Sequence, residues 1–135
     1  FPFPFPFPFQ RMSSVRAVIV FAHGSRDPLW RKPVELVAAQ VKALAPEVMA
    51  ECAYLELCEP ALPQMASELV AAGATDIRVL PLFFGMGKHA REDLPLLMKA
   101  LQEQHTGTRF TLLPTAGENP KLLALLAAMA LETTP

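Results

Sequence analysis

Charge of one sign, cysteine and long apolar runs are all scarce in this chain, and each scarcity excludes something. Twelve Lys plus Arg stand against thirteen Asp plus Glu, a formal net charge of −1, so there is no cationic excess of the kind that neutralises a phosphate backbone. Nucleic acid is therefore not an expected partner. The longest uncharged apolar run, Leu122 to Leu131, has ten residues, about half of what an α-helix needs to cross a bilayer. No membrane association is expected. Cys52 and Cys58 are the only cysteines; extended chain would hold them about 20 Å apart, against a disulfide Cα limit of about 7 Å. A mutual bridge is not expected unless the chain folds back sharply between them, and two free thiols fit a reducing cytoplasm.

What is abundant is apolar side chain: 52% of the chain is hydrophobic and 19% charged, which excludes a disordered polyampholyte and implies extensive burial, a subunit interface included. A length of 135 residues fits one domain. Residues Phe1 to Phe9 alternate Phe and Pro. Proline at every second position removes the helix donors that a secretory signal's apolar segment needs. The expectation is that Met12 begins the natural chain. The Phe-Pro tract then reads as a tag, a vector remnant or residues assigned without a known sequence rather than a native sticky arm, with tract and linker at 1–14 and the domain at 15–135.

From Val15 onward, strand-like and helix-like segments alternate. Val15 to Ala22 is an apolar, β-branched run ending at His23-Gly24. Asp27-Pro28 then offers an N-cap acceptor and an N1 proline, although Pro33 could also open the helix whose face is Val34, Val37, Val41 and Leu44. Val48 to Leu57 reads as a second strand, and Pro60 as the opening of a helix with the face Leu62, Met65, Leu69 and Ala72, stopped by Gly73. A third strand, Ile77 to Phe84, leads through Gly85-Met86-Gly87 into a helix carrying Leu94, Leu97, Met98 and Leu101. Arg109 to Leu113 is a short fourth strand, and Asn119-Pro120 caps a last helix from Lys121 to about Leu131.

Four such repeats imply a single three-layer α/β domain, a four-stranded parallel sheet flanked by helices with flavodoxin-like topology. Ligands of such sheets bind beyond the carboxyl ends of the strands. His23 follows strand one, Glu56 ends strand two and His89 follows strand three, so all three should meet at one edge. The last helix, with Leu122, Leu123, Leu125, Leu126 and Met129, is apolar over most of its circumference and should be buried on two sides, by the domain or by a second subunit.

Two histidines, each in a glycine-rich turn after a strand, offer the commonest ligands for late first-row divalent ions and leave positions open for a substrate. Taken singly, each could equally be a capping or hydrogen-bonding group. Glu56 is either a solvated carboxylate or a third ligand or proton acceptor. Arg26, Arg31, Lys32, Lys88 and Arg91, five of the twelve cations, lie within nine positions of His23 or His89 and could form a rim for an acidic ligand. Ser25 reads as a turn residue donating hydrogen bonds, and His105 as a helix-end group satisfying terminal carbonyls. Gly85-Met86-Gly87-Lys88 lacks the spacing of a phosphate loop, and Gly24-Ser25 lacks the pattern of a nucleophile elbow.

The segment Val18 to Arg26, with its His-Gly-Ser-Arg turn, resembles the opening strand and turn of the CbiX family of class II tetrapyrrole chelatases. Tyr54-Leu55-Glu56 followed by Pro60 is similar to its second strand, and Pro81 to His89 with Asp93-Leu94-Pro95 resembles its most diagnostic stretch. The chain departs from the family pattern at Asp27 to Trp30 and at Glu118-Asn119. The resemblance implies an ATP-independent lyase without organic cofactor, a sirohydrochlorin cobaltochelatase inserting Co²⁺ in cobalamin synthesis and acting as a cytoplasmic homodimer. It carries His23 and His89 over as metal residues, Glu56 with them as catalytic, and Ser25, Arg26, Lys88 and Arg91 as contacts to a tetrapyrrole's peripheral carboxylates. The same reaction with Fe²⁺ or Ni²⁺, and a non-catalytic metal or tetrapyrrole carrier, are the competing readings; a regulatory flavodoxin-like domain is disfavoured by the missing phosphate loop. Activity should fall on acidification, because a protonated imidazole no longer binds metal.

Overall fold

A computed structural model describes residues 14–133; the Phe-Pro tract, and the expectation made for it, lies outside the described residues. In chain order the elements are β1 (Arg16–Ala22), α1 (Pro28–Leu44), β2 (Met49–Tyr54), α2 (Leu62–Ala71), β3 (Asp76–Pro81), α3 (Lys88–Gln104), β4 (Arg109–Leu112), a 3-10 turn (Ala116–Glu118) and α4 (Pro120–Leu131). The strands are parallel throughout, in the order β2-β1-β3-β4. The chain thus runs outward from β1 to β2, then returns past it to β3, and the crevice where the direction reverses opens beside the end of β1.

Strand alternation sorts the core into two faces. Ala17, Ile19 and Phe21 of β1 with Ile77 and Val79 of β3 meet Leu62, Met65 and Leu69 of α2 and Leu94, Met98 and Leu101 of α3. Val20 and Ala22, on the opposite face, meet Val34 and Ala38 of α1 together with Ala50 and Tyr54. The second layer stops there, since Arg78 on β3 is exposed.

The first helix starts at Pro28, as the Asp27-Pro28 pair predicts, and not at the alternative Pro33, because the Asp27 carboxylate accepts from the Leu29 N–H at 2.9 Å. Other boundaries differ from the sequence reading. The second helix starts at Leu62 and not at Pro60: the Pro60 carbonyl accepts from the Tyr54 N–H at 2.9 Å, and Tyr54 pairs with Ala61. That contact folds the chain back between Cys52 and Cys58, yet both thiols are free. Leu44 and Ala72, expected on apolar faces, are exposed at helix ends beyond the sheet.

The last helix is the largest departure. Asn119 caps it, its side chain accepting from the Lys121 N–H at 2.8 Å, but no residue of α4 is buried. Leu123, Leu125, Leu126 and Met129 are all exposed. Burial of this helix against its own domain is therefore ruled out for the single chain. No helix among the described residues is long and apolar enough to cross a membrane.

Candidate functional site

β1 ends where the chain must turn, and Gly24 makes the turn at a φ of 110°, a left-handed value that a side chain would strain. A Cβ at Gly24 would also lie 1.8 Å from the Glu56 carbonyl oxygen. The missing side chain therefore lets the segment after β2 approach. Leu55 N–H donates to the Ala22 carbonyl at 2.9 Å and Glu56 N–H to the His23 carbonyl at 3.0 Å, continuing the β1–β2 ladder past the end of the regular strand. Leu57, at a φ of 70°, then breaks it. Glu56 is thus placed opposite His23 by backbone pairing, although β2 itself stops at Tyr54 rather than at the expected Leu57.

The side chains meet: His23 Nε2 lies 3.2 Å from Glu56 Oε2, with both side chains more than half exposed. On the other side of the crevice, β3 ends at Pro81 rather than Phe84, and Leu82 N–H donates to the Phe21 carbonyl at 2.7 Å. The Phe83 ring stands edge-on to His23, centroids 6.4 Å apart and planes at 89°. Gly87 then caps α3, which puts His89 in its exposed first turn. A cavity of about 320 Å³ lies between, with Glu56, Phe83, His89 and Asp93 in its walls and Phe21 and Leu94 at its apolar base.

His23 and Glu56 are therefore brought into contact, and Glu56 and His89 share one cavity. The three do not close around one point, and among the described residues no group of three His, Cys, Asp or Glu side chains is gathered as a metal cage. Arg26, Lys88 and Arg91 are exposed; Arg91 Nη1 donates to the Met86 carbonyl at 3.0 Å and steadies the turn before α3. Ser25 differs from its reading, since its hydroxyl accepts from the Asp27 N–H at 3.0 Å instead of donating. Its carbonyl takes the Arg31 Nη1 at 3.1 Å, which draws Arg31 away from the rim into the turn. His105 is remote, its ring against Phe110 and its Nε2 3.5 Å from Ser67 Oγ; it caps α3 through its backbone and not, as expected, through its ring.

A larger cavity of about 540 Å³ lies against the outer edge of β2, with Arg31, Glu35, Cys52, Tyr54 and Cys58 in its walls. Burial pushes the Cys52 thiol up, and burial with the neighbouring Cys52 pushes the Tyr54 phenol well above its usual range. Both groups stay neutral at physiological pH, so size alone does not make this cavity the reactive one. Gly24, Phe83 and Gly117 are structural parts of the site that the sequence reading did not single out. Only Gly24 carried a signal, as a glycine directly after a strand-end histidine.

The fold and the site define an open parallel α/β domain with a histidine–carboxylate pair at its topological switch point and a second histidine across a cavity. The chain belongs to the CbiX family, whose model matches residues 17–133. It is 33% identical over 82 residues to a sirohydrochlorin cobaltochelatase of Methanopyrus kandleri, a match covering 61% of this chain and 57% of that relative. The chain thus spans less than two thirds of that relative's length. A cobalamin biosynthesis CbiX protein of Marinobacter aquaeolei superposes with a TM-score of 0.73 at 30% identity, covering 85% of this chain and 93% of the other. The sirohydrochlorin chelatase SirB of Bacillus subtilis subspecies spizizenii, in complex with cobalt, superposes with a TM-score of 0.69 at 25% identity, covering 85% of this chain and 50% of that one.

Proposed function

We propose that this protein is an ATP-independent chelatase that inserts Co²⁺ into sirohydrochlorin, a cytoplasmic step of cobalamin synthesis needing no organic cofactor. The observation that carries the reading is the His23–Glu56 pair at the switch point, with Glu56 and His89 in the walls of one cavity. Two donors about 2.1 Å from one tetrahedral ion stand about 3.4 Å from each other, close to the 3.2 Å between His23 Nε2 and Glu56 Oε2. The pair can therefore hold an entering ion, with His89 reached from the cavity wall.

Insertion requires the ion to shed water and two pyrrole protons to leave the macrocycle. Neutral imidazole from His23 and His89 binds the ion while leaving positions for the macrocycle's nitrogens. Once the ion has passed on, Glu56 and a freed imidazole of His23 or His89 accept the two pyrrole protons, since carboxylate and imidazole are each both ligand and base. Exposed Arg26, Lys88 and Arg91, with Ser25 shaping the turn, face the substrate's carboxylates as a cationic rim. This donor set also suits Fe²⁺ and Ni²⁺, because selectivity among these ions follows geometry and supply.

The working unit is a homodimer joined through α4. That helix is apolar and has no buried residue, and the cobalt-bound chelatase it resembles is a chain of which this one covers 50%, so two copies supply two lobes. The test is anaerobic incubation with sirohydrochlorin and each of Co²⁺, Ni²⁺ and Fe²⁺, followed by absorbance over many turnovers. Metallated product limited to one equivalent per protein would identify a carrier instead. Sedimentation at micromolar concentration should show a dimer, and a monomer there defeats the assembly.

A further inference from the structure

We infer that Phe83 is a positioning residue for His23. The inference rests on the reading of His23 as a residue that holds the ion, and it concerns what keeps that side chain in one orientation.

The His23 side chain is 56% exposed and its partner Glu56 is 55% exposed. Two side chains so open to water retain alternative rotamers, and neither can fix the other. A metal site works only when its ligands are held close to productive geometry by groups that are themselves immobile. The His23 ring also meets the Phe83 ring, edge-on at 6.4 Å and 89°, within the range that perpendicular aromatic pairs prefer.

Phe83 is the immobile member. Its ring packs perpendicular to Phe21, centroids 5.9 Å apart and planes at 77°, and Phe21 is 3% exposed at the end of the central strand. Its carbonyl accepts from the Gly117 N–H at 2.9 Å. At Gly117 an added Cβ would lie 1.6 Å from the Phe84 carbonyl oxygen, so the 3-10 turn sits directly against the Phe83-Phe84 backbone. The preceding residue is tied too, through the bond from Leu82 N–H to the Phe21 carbonyl. Ring and backbone are thus clamped from the core and from the turn that leads into α4. The face they present to solvent carries His23.

The experiment measures Co²⁺ affinity of the full chain without tetrapyrrole, by calorimetry and cobalt d–d absorption, in the wild type and in His23→Ala, Phe83→Leu, Phe83→Tyr and the His23→Ala/Phe83→Leu double variant. Phe83→Leu keeps apolar bulk but removes the ring and should weaken binding about tenfold, the scale found for residues that orient metal ligands. Phe83→Tyr keeps the ring and should stay near wild type. In the His23→Ala background, Phe83→Leu should have no further effect, because a positioning residue acts only through the side chain it positions. An undiminished tenfold loss in that background, or full affinity in Phe83→Leu, overturns the inference. Wild-type affinity in His23→Ala would instead overturn the reading of His23 as a ligand. Should Phe83→Leu fail to fold, the wild type decides: proton resonances of the His23 ring must be displaced by the Phe83 ring current. Unperturbed imidazole shifts would show that the rings do not hold each other.

Discussion

At the edge of the sheet where the strands begin, polar groups are largely consumed by the fold, Asp76 Oδ1 being the one buried polar side-chain atom left without a partner among the described residues. Thr108, 4% exposed, donates its hydroxyl to the Ala74 carbonyl at 2.9 Å, and the Thr75 hydroxyl accepts from the Val15 N–H at 2.8 Å. The Gln102 amide donates to the Thr108 carbonyl at 2.7 Å and accepts from the Phe110 N–H at 3.0 Å. At the opposite edge, His23 Nε2 and Glu56 Oε2 stand 3.2 Å apart while remaining open to solvent, His89 is exposed in a helix's first turn, and Leu55, Leu57 and Phe84 are exposed. The first edge contributes stability by satisfying buried groups. The second leaves titratable and apolar groups unburied in one place, which folding alone does not favour and binding does.

The strongest way to break this comparison is through the histidines. His23→Ala and His89→Ala should each reduce metal insertion by at least about 100-fold, since each removes a proposed ligand of the ion. The double variant should be scarcely worse, because both act on one ion. His105→Ala, at the structural edge, should leave turnover intact. Full insertion by folded His23→Ala and His89→Ala proteins would erase the distinction between the two edges.

Gly24→Ala tests whether the site is built by backbone approach. It places a methyl against the Glu56 carbonyl at 1.8 Å in a left-handed position, and should cost about 3 kcal/mol of stability while lowering activity. Chemical denaturation with a chelation assay reads both. Wild-type stability would mean that the two segments are not held together.

Removal of rim charges should have a smaller effect. If the proposed rim holds, Arg26→Ala or Lys88→Ala should raise KM about fivefold or less with little change in kcat, as suits exposed charges that meet a carboxylate-rich substrate in ground and transition state alike. Unchanged KM in both would reduce them to solvated surface.

The smallest effect at neutral pH lies away from both edges. Burial raises the Cys52 thiol from 9.0 and the Tyr54 phenol from 10.0, so the unfolded chain ionises both groups before the fold does. Their contribution to stability is complete below about pH 9 and is lost as the pH rises from there. Tyr54 is the only tyrosine, so tyrosinate absorbance reports it alone and should appear only as the protein unfolds in alkali. An ordinary phenol titration of the folded protein would show that Tyr54 is open to solvent.

Local chemistry made much of the fold legible. Asp27 and Asn119 are acceptors followed by proline, and both cap the helices they were expected to cap. Strand ends were harder, because the apolar runs Val48 to Leu57 and Ile77 to Phe84 continue into the walls of a cavity. The side chains of Leu55 and Phe83 line the cavity, and Phe83 also meets His23, so apolar character there serves the site even where, as at Leu55, the backbone still pairs. Hydrophobicity cannot separate these two uses. The role of α4 was half legible: its excess of leucine marked a need for a partner surface, and the tertiary structure removed its own domain as the answer.

By itself the sequence determined the order of strands and helices, two of the helix caps, and the placement of His23 in the turn after the first strand, since all of these follow from residues near one another in the chain; His89, read as a turn residue, proved to lie in the first turn of α3. The contact between His23 and Glu56 was decided only in three dimensions. It depends on β2 pairing beside β1 with Ala22 opposite Tyr54, on Gly24 admitting the Glu56 carbonyl, and on β3 taking the other flank of β1. These are contacts between segments more than thirty residues apart, and their geometry is set by parallel pairing and crossover handedness, which no local pattern of residue types encodes.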